Sequence, residues 1–470
     1  MPFNSPFFLL VFLPIILALA WFVRGNARLM AILLGSLFFY AWGEPWFVFV
    51  VFGSAWIDYF LSHRLARTED LHHRKVIVGV GVFANLALLA YFKYFAFFLG
   101  NLNGLLSRLG MDQTPVWEIL LPLGISFIIF EKITYLVDIY RGISKPAERF
   151  SYYLLYTFFF PKLLAGPIVK YHDFAPQMHA KTIGSEDLAV GISRFCIGLA
   201  KKVFIADSMA QVVDTAFGFP NDAHGFGGTW LAVIAFSIQI YFDFSGYSDM
   251  AIGLARLMGF RLLENFNHPY VARSFTDFWR RWHISLSTWI REYLYIPLGG
   301  NRKGTLRTYF NLWVCFVLSG LWHGASWTFI LWGCYHGVFL VIDRLAWRKW
   351  EERLPAPLSI ALTFFFVTIG WAIFRSADLT QLGVILAALF GVQGAVPAPL
   401  FMTRDLWFFM ALGLLISFFA KSPPVQAVKN WFNFNRYNFA TRIGASALLF
   451  LLALGTVSVR TFNPFLYFRF

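Results

Sequence analysis

The sequence predicts an all-α polytopic membrane protein, and three observations carry that prediction. Of 470 residues, 58% are hydrophobic and 14% charged, and the mean hydropathy is +0.61. A water-soluble fold of this length could not bury so much apolar surface. The apolar residues also fall into successive runs of membrane-span length separated by short polar loops. Finally, 57 Phe, 18 Trp and 19 Tyr suit both interfacial belts and a tightly packed helical bundle.

In order along the chain, candidate spans lie near 6–23, 29–42, 46–61, 76–99, 119–140, 151–170 and 188–206, then 229–254, 309–321, 325–343, 357–375, 382–396, 405–421 and 443–460. The first lacks a basic leader and a small-residue cleavage site, so it reads as a span rather than a removed signal peptide. Several runs are shorter than the roughly 20 residues that cross a hydrocarbon core, so about ten to twelve true crossings are expected. The stretch "YTFFFPKLLAGPIVKY" (156–171), broken by Pro161, Gly166 and Pro167, reads as re-entrant. With no soluble domain, linker or repeat, residues 1–470 read as one membrane domain.

The formal net charge of +14 does not point to nucleic acid, because no basic stretch lies in a soluble domain. Basic residues instead mark cytoplasmic loops. Arg64, Arg67, Arg74 and Lys75 share one loop, residues 256–307 hold nine Lys or Arg, and 421–442 holds four basic residues and no acid. This places both termini outside. Three cysteines, Cys196, Cys315 and Cys334, make no disulfide framework. The ten histidines show no HxxxH or HExxH spacing, so no metal is expected.

Polar groups within this apolar chain are the functional candidates. Plotted as one helix, "FTDFWRRWHISLSTWIREYLY" places Arg280, Ser287 and Arg291 on one face and Trp279, Trp282, Leu286, Trp289 and Tyr293 on another. His283 falls at the border. This reads as an interfacial helix followed by the basic loop "LGGNRKG". Its cations either anchor the helix at the lipid surface or hold a phosphorylated cytosolic ligand. Arg291, Arg302 and Lys303 are the candidate phosphate contacts. Upstream, Asp243 and Asp249 lie in an apolar span and need partners, for which Arg280 and Arg281 are the candidates.

His323 sits in "SGLWHGASW" between apolar runs. Ser319 and Trp327 are expected one turn either side of it, with Gly320 and Gly324 admitting a neighbouring helix. A neutral imidazole there can take a proton from a hydroxyl and return it to a leaving thiolate. It can equally be satisfied by one interhelical hydrogen bond. His336, thirteen residues later, has the same two readings; if both lie on one continuous helix it falls about 220° around from His323 and does not face the same site.

Together "LPLGISFIIFEKITYLVDIYRG", "FFFPKLLAGPIVKY", "YFDFSGYSDMAIGLARLMGFRLLENFNHPY", "FWRRWHISLSTWIREYLYIPLGGNR" and "SGLWHGASW" resemble the membrane-bound O-acyltransferase family, in its bacterial alginate O-acetyltransferase-like branch. The resemblance implies about eleven membrane helices, with re-entrant and interfacial helices, around a central tunnel. The motif-bearing core is about 121–345, followed by C-terminal helices 357–460 and an aromatic tail, 461–470. The resemblance further implies that His323 is catalytic, that His283 lines the same path, and that Tyr467 of "TFNPFLYFRF" relays the acyl group, although an aromatic tail on the outer side can equally anchor the last helix at the interface.

The implied activity is transfer of an acetyl or other acyl group from a cytosolic thioester, acetyl-CoA or another activated donor, across a bacterial inner membrane. No cofactor is bound, and the partners are a periplasmic acetyltransferase and a polysaccharide such as alginate. Peptidoglycan, cellulose and other envelope glycans remain open. A transporter or flippase, using the same intramembrane carboxylates and histidines as a polar path, is the alternative of another class.

Overall fold

The computed structural model describes residues 1–117, 119–179, 183–220, 223–347, 353–392, 400–419, 422, 439–459 and 464–466. Among these residues the chain is helical and contains no strand. Five helices are long and apolar enough to cross a membrane: Leu71–Arg108, Phe226–Leu257, Trp327–Trp347, Ala356–Arg375 and Phe439–Val459. Shorter apolar helices include Phe8–Phe22 and Leu379–Leu389. The chain forms two compact units, Met1–Ile192 with Ala251–Leu263, and Ser193–Met250 with Glu264–Phe470.

In the first unit, the helix Ile125–Tyr140 is buried along nearly its whole length. It carries adjacent buried charges, and each has a partner. Lys132 meets Asp58 at 3.2 Å, Glu131 pairs with Lys162, and Asn85 donates to Asp58 at 2.9 Å. The predicted re-entrant stretch is indeed broken, with helices Phe150–Phe158 and Phe160–Leu163 separated at Phe159. Protein groups take up its freed backbone: Val169 N–H donates to Glu131 at 3.2 Å, and the Tyr156 hydroxyl donates to the Val169 carbonyl at 2.8 Å. Such irregular backbone is tolerated in an apolar setting only when covered in this way.

The second unit holds the polar motifs, and two glycine crossings position them. A Cβ on Gly198 would come within 2.5 Å of the Gly246 carbonyl, and one on Gly246 within 2.8 Å of the Gly198 carbonyl. Only bare backbones fit there. This contact brings the π-helical turn Lys201–Ala206 against the carboxylates of Phe226–Leu257. The second crossing closes a hairpin between Thr305–His323 and Trp327–Trp347. A Cβ on Gly320 would lie 2.2 Å from the Phe329 carbonyl, and one on Gly333 would lie 2.3 Å from the Phe316 carbonyl.

Two helical expectations are corrected here. Residues 275–295 do not form one amphipathic helix; they break into Phe275–Arg281 and Ile284–Ile290, with His283 between them at φ 45° and ψ 55°. Nor does a helix run through the WHG motif. Thr305–His323 ends at His323, Gly324 is extended, and Ser326 starts the next helix by accepting from Phe329 N–H at 3.4 Å. Trp327 therefore opens a new helix instead of continuing the first.

Candidate active site

His323 ends its helix and is buried, 7% exposed. Its ring lies 4.9 Å from Trp322, 5.1 Å from Trp332 and 5.3 Å from Phe374, each nearly edge to face. An aromatic wall of this kind excludes water and fixes the imidazole plane. The chain reversal after His323 also changes the relation to His336. That ring packs on the opposite helix of the hairpin, 4.8 Å from Trp332, so one indole touches both imidazoles. His336 Nδ1 accepts from Trp279 Nε1 at 3.3 Å, which gives it a structural bond.

His283 is 1% exposed. Its ring meets Phe244 at 4.6 Å and Trp322 at 6.2 Å, so Trp322 stands between the two motif histidines. A non-glycine residue in the left-handed region is disfavoured by about 1–2 kcal/mol, and here Asn265 supports it. The Asn265 carbonyl accepts from Ile284 N–H at 3.0 Å. Its Oδ1 accepts from Ser285 N–H at 3.1 Å and Ser285 Oγ at 2.8 Å. Asn265 thus takes the place of a helix cap for Ile284–Ile290, whose preceding residue, His283, supplies none. His283 lies outside the spanning helices, and burial pushes its imidazole down to about 3. It is neutral near pH 7, so it meets a neighbouring group as an uncharged hydrogen-bonding ring.

The carboxylates are paired, but not by Arg280 or Arg281. Asp243 meets Lys202 at 2.7 Å, and Lys202 also meets Asp207 at 2.8 Å. Asp249 meets Arg194 at 2.6 Å and Lys201 at 2.7 Å. Arg281 instead bonds Asp277 four residues back, at 2.7 Å, and Arg280 is exposed. The donor-phosphate candidates are also exposed: Arg291 meets Glu292 at 3.2 Å, while Arg302 and Lys303 stand on a loop pinned by Asn311, which donates to the Gly300 carbonyl at 3.1 Å. All three side chains face outward, where a solvent-borne anion can reach them. Tyr467 lies outside the described residues.

Asn265, Lys202 and Trp332 escaped the sequence reading. Lys201 and Lys202 had a signal, because two cations in one apolar run answer two carboxylates in another. Asn265 and Trp332 had none, since both act through positions that only the folded chain brings together.

The described helices and the buried histidines define a multi-pass membrane protein with imidazoles set in its interior. Residues 149–376 match the membrane-bound O-acyltransferase family, and the chain belongs to that family. It is 39% identical to the protein named "Probable alginate O-acetylase AlgI" of Pseudomonas putida, over the full length of both chains. It is 37% identical to the peptidoglycan O-acetyltransferase of Helicobacter pylori, covering 83% of this chain and 80% of that one. Similarity extends to the teichoic acid D-alanyltransferase of Bacillus subtilis, 31% identical over 54% of this chain and 68% of the relative. The chain is a membrane O-acyltransferase.

Proposed function

We propose that this O-acyltransferase carries an acetyl group from cytosolic acetyl-CoA across a bacterial inner membrane for O-acetylation of an exported polysaccharide such as alginate. In this reading about eleven membrane helices surround a tunnel, both termini are periplasmic, and the thioester is a substrate, with no bound cofactor. The observation that carries the reading is the pair of buried histidines sharing Trp322 inside the segment that matches the family.

The chemistry follows from an imidazole set in an aromatic wall. His323 takes the proton of the acceptor hydroxyl as its oxygen attacks the thioester carbonyl carbon. The tetrahedral intermediate collapses with cleavage of the carbon–sulfur bond. The imidazolium returns its proton to the departing sulfur, releasing the free thiol. His283, held by Asn265, lines the same path and polarises the reacting groups. Asp243 with Lys202, and Asp249 with Arg194 and Lys201, support the polar framework, and Arg291, Arg302 and Lys303 meet the donor phosphates at the cytosolic surface. The first acceptor is the Tyr467 phenol, which passes its acyl ester to a periplasmic acetyltransferase. Names of relatives acting on alginate and on peptidoglycan support an envelope glycan as final acceptor.

The test is reconstitution in sealed vesicles with radiolabelled acetyl-CoA on the cytosolic side only. The reading expects label on the chain and then on a polysaccharide acceptor supplied with its transferase on the other side. Donor left unconsumed under those conditions contradicts it.

A further inference from the structure

The described end of the chain lies against the most deeply buried Lys or Arg among the described residues of the second unit. Lys202 and Asp243 are respectively 1% and 2% exposed, and their charges meet at 2.7 Å. Lys202 Nζ also donates to the Pro464 carbonyl at 3.2 Å and stands 4.7 Å from the Phe465 ring centroid, over its face. The other carboxylate oxygen of Asp243 accepts from Leu466 N–H at 2.8 Å. One ion pair thus grips three consecutive tail residues, through a carbonyl, an aromatic face and an amide. Phe465 and Leu466 are themselves buried. Charge-assisted bonds in an apolar interior are stronger than neutral ones, and a cation over a desolvated ring adds to them.

The grip is placed beside the histidine centre. Phe465 packs edge to face on Tyr247, centroids 4.9 Å apart. Three residues earlier on the same helix, Phe244 packs edge to face on His283 at 4.6 Å. Residues three and four apart lie on neighbouring positions of one helical face, so Asp243, Phe244 and Tyr247 join the tail to the His283 ring.

We propose that Lys202 and Asp243 are positioning residues forming a latch for residues 464–466, and that this latch serves acyl transfer to the residue next in sequence, Tyr467. The latch is independent of the relay chemistry. Its functional consequence rests on the relay proposed above. The pair explains why two ionisable groups are kept in an apolar interior where a hydrophobic pair would serve stability as well.

The test uses the full chain in lipid nanodiscs, comparing wild type, Asp243→Asn, Phe465→Ala and Tyr467→Phe. Hydrogen exchange of the C-terminal peptide reads the latch directly. In wild type the amides at 465 and 466 are expected to be protected. In Asp243→Asn and Phe465→Ala they exchange about tenfold faster or more, while peptides from the 226–257 helix do not change. The rate of labelling the tail from acetyl-CoA falls about tenfold with an unchanged KM for the donor, because positioning alone is lost. Phe465→Ala leaves the buried ion pair intact, so it carries the test if Asp243→Asn fails to fold. Unchanged tail exchange in both variants overturns the latch, and faster exchange with full transfer overturns its positioning role. Tyr467→Phe is expected to keep wild-type protection. If it also transfers acyl groups normally, the relay fails while the latch stands.

Discussion

Trp332 stands between His323 and His336, its ring centroid 5.1 Å from one imidazole and 4.8 Å from the other. The two histidines therefore share a wall but differ in their settings. His323 ends a helix against aromatic rings, whereas His336 is tied to Trp279. Replacing His336 with Ala should lower the thermal midpoint, at a cost of about 1–3 kcal/mol for the orphaned indole donor. It should leave donor turnover within about tenfold of wild type. Thermal unfolding and thioester consumption, measured on one preparation, check both halves.

The hairpin that creates this arrangement depends on Gly320. An alanine there would place its Cβ 2.2 Å from the Phe329 carbonyl. Gly320→Ala should cost about 1–3 kcal/mol through forced separation of the helices and reduce kcat more than donor affinity. A variant with wild-type midpoint and rate would show that the hairpin has more slack than its geometry allows.

Asn265 supports His283 through acceptor atoms alone. Asn265→Ala should destabilise the chain by about 1–2 kcal/mol, as for loss of a helix cap, and slow transfer. Asn265→Asp keeps the accepting oxygen and should restore most of both. Equal loss in the two variants would assign the role to the amide nitrogen.

Asp249 neutralises both Arg194 and Lys201. Asp249→Asn should destabilise toward the lower end of about 3–5 kcal/mol, because both cations keep some solvent contact. A denaturant midpoint unchanged from wild type would mean that other groups hold these charges.

His283 should make stability pH-dependent. Burial depresses its folded value below that of the free imidazole. Above the unfolded value near 6.5 the ring is neutral in both states and contributes no slope. Below it the unfolded chain binds a proton that the folded chain does not, so stability falls as pH drops, by up to about 1.4 kcal/mol per pH unit. Thermal midpoints from pH 7 to 5 should fall more steeply for wild type than for His283→Gln, and parallel curves would refute this.

Hydropathy made the helical membrane fold legible, since every described spanning helix falls on an apolar run of the sequence. Breaks were harder to read. Periodicity assigns one face to residues 275–295 because it assumes a continuous helix, yet Trp282 turns inward to pack at a tilt on Trp371, centroids 4.8 Å apart, and the helix stops there. The same assumption set His336 away from His323 until Gly324 broke the helix. Charge partners were misassigned for a related reason. Arg280 and Arg281 were near in sequence to the carboxylates, whereas Lys201 and Lys202 reach Asp249 and Asp243 only through a glycine crossing. The histidines themselves were legible because an ionisable group in an apolar run is conspicuous.

The central claim is that His323 is the base. It is tested most directly by single-turnover acyl transfer from acetyl-CoA in wild type and His323→Ala, with the donor Kd and thermal midpoint measured alongside. The account predicts a rate loss of about 10²–10⁴ with donor binding and folding unchanged. Transfer by His323→Ala within a few-fold of wild type would contradict it.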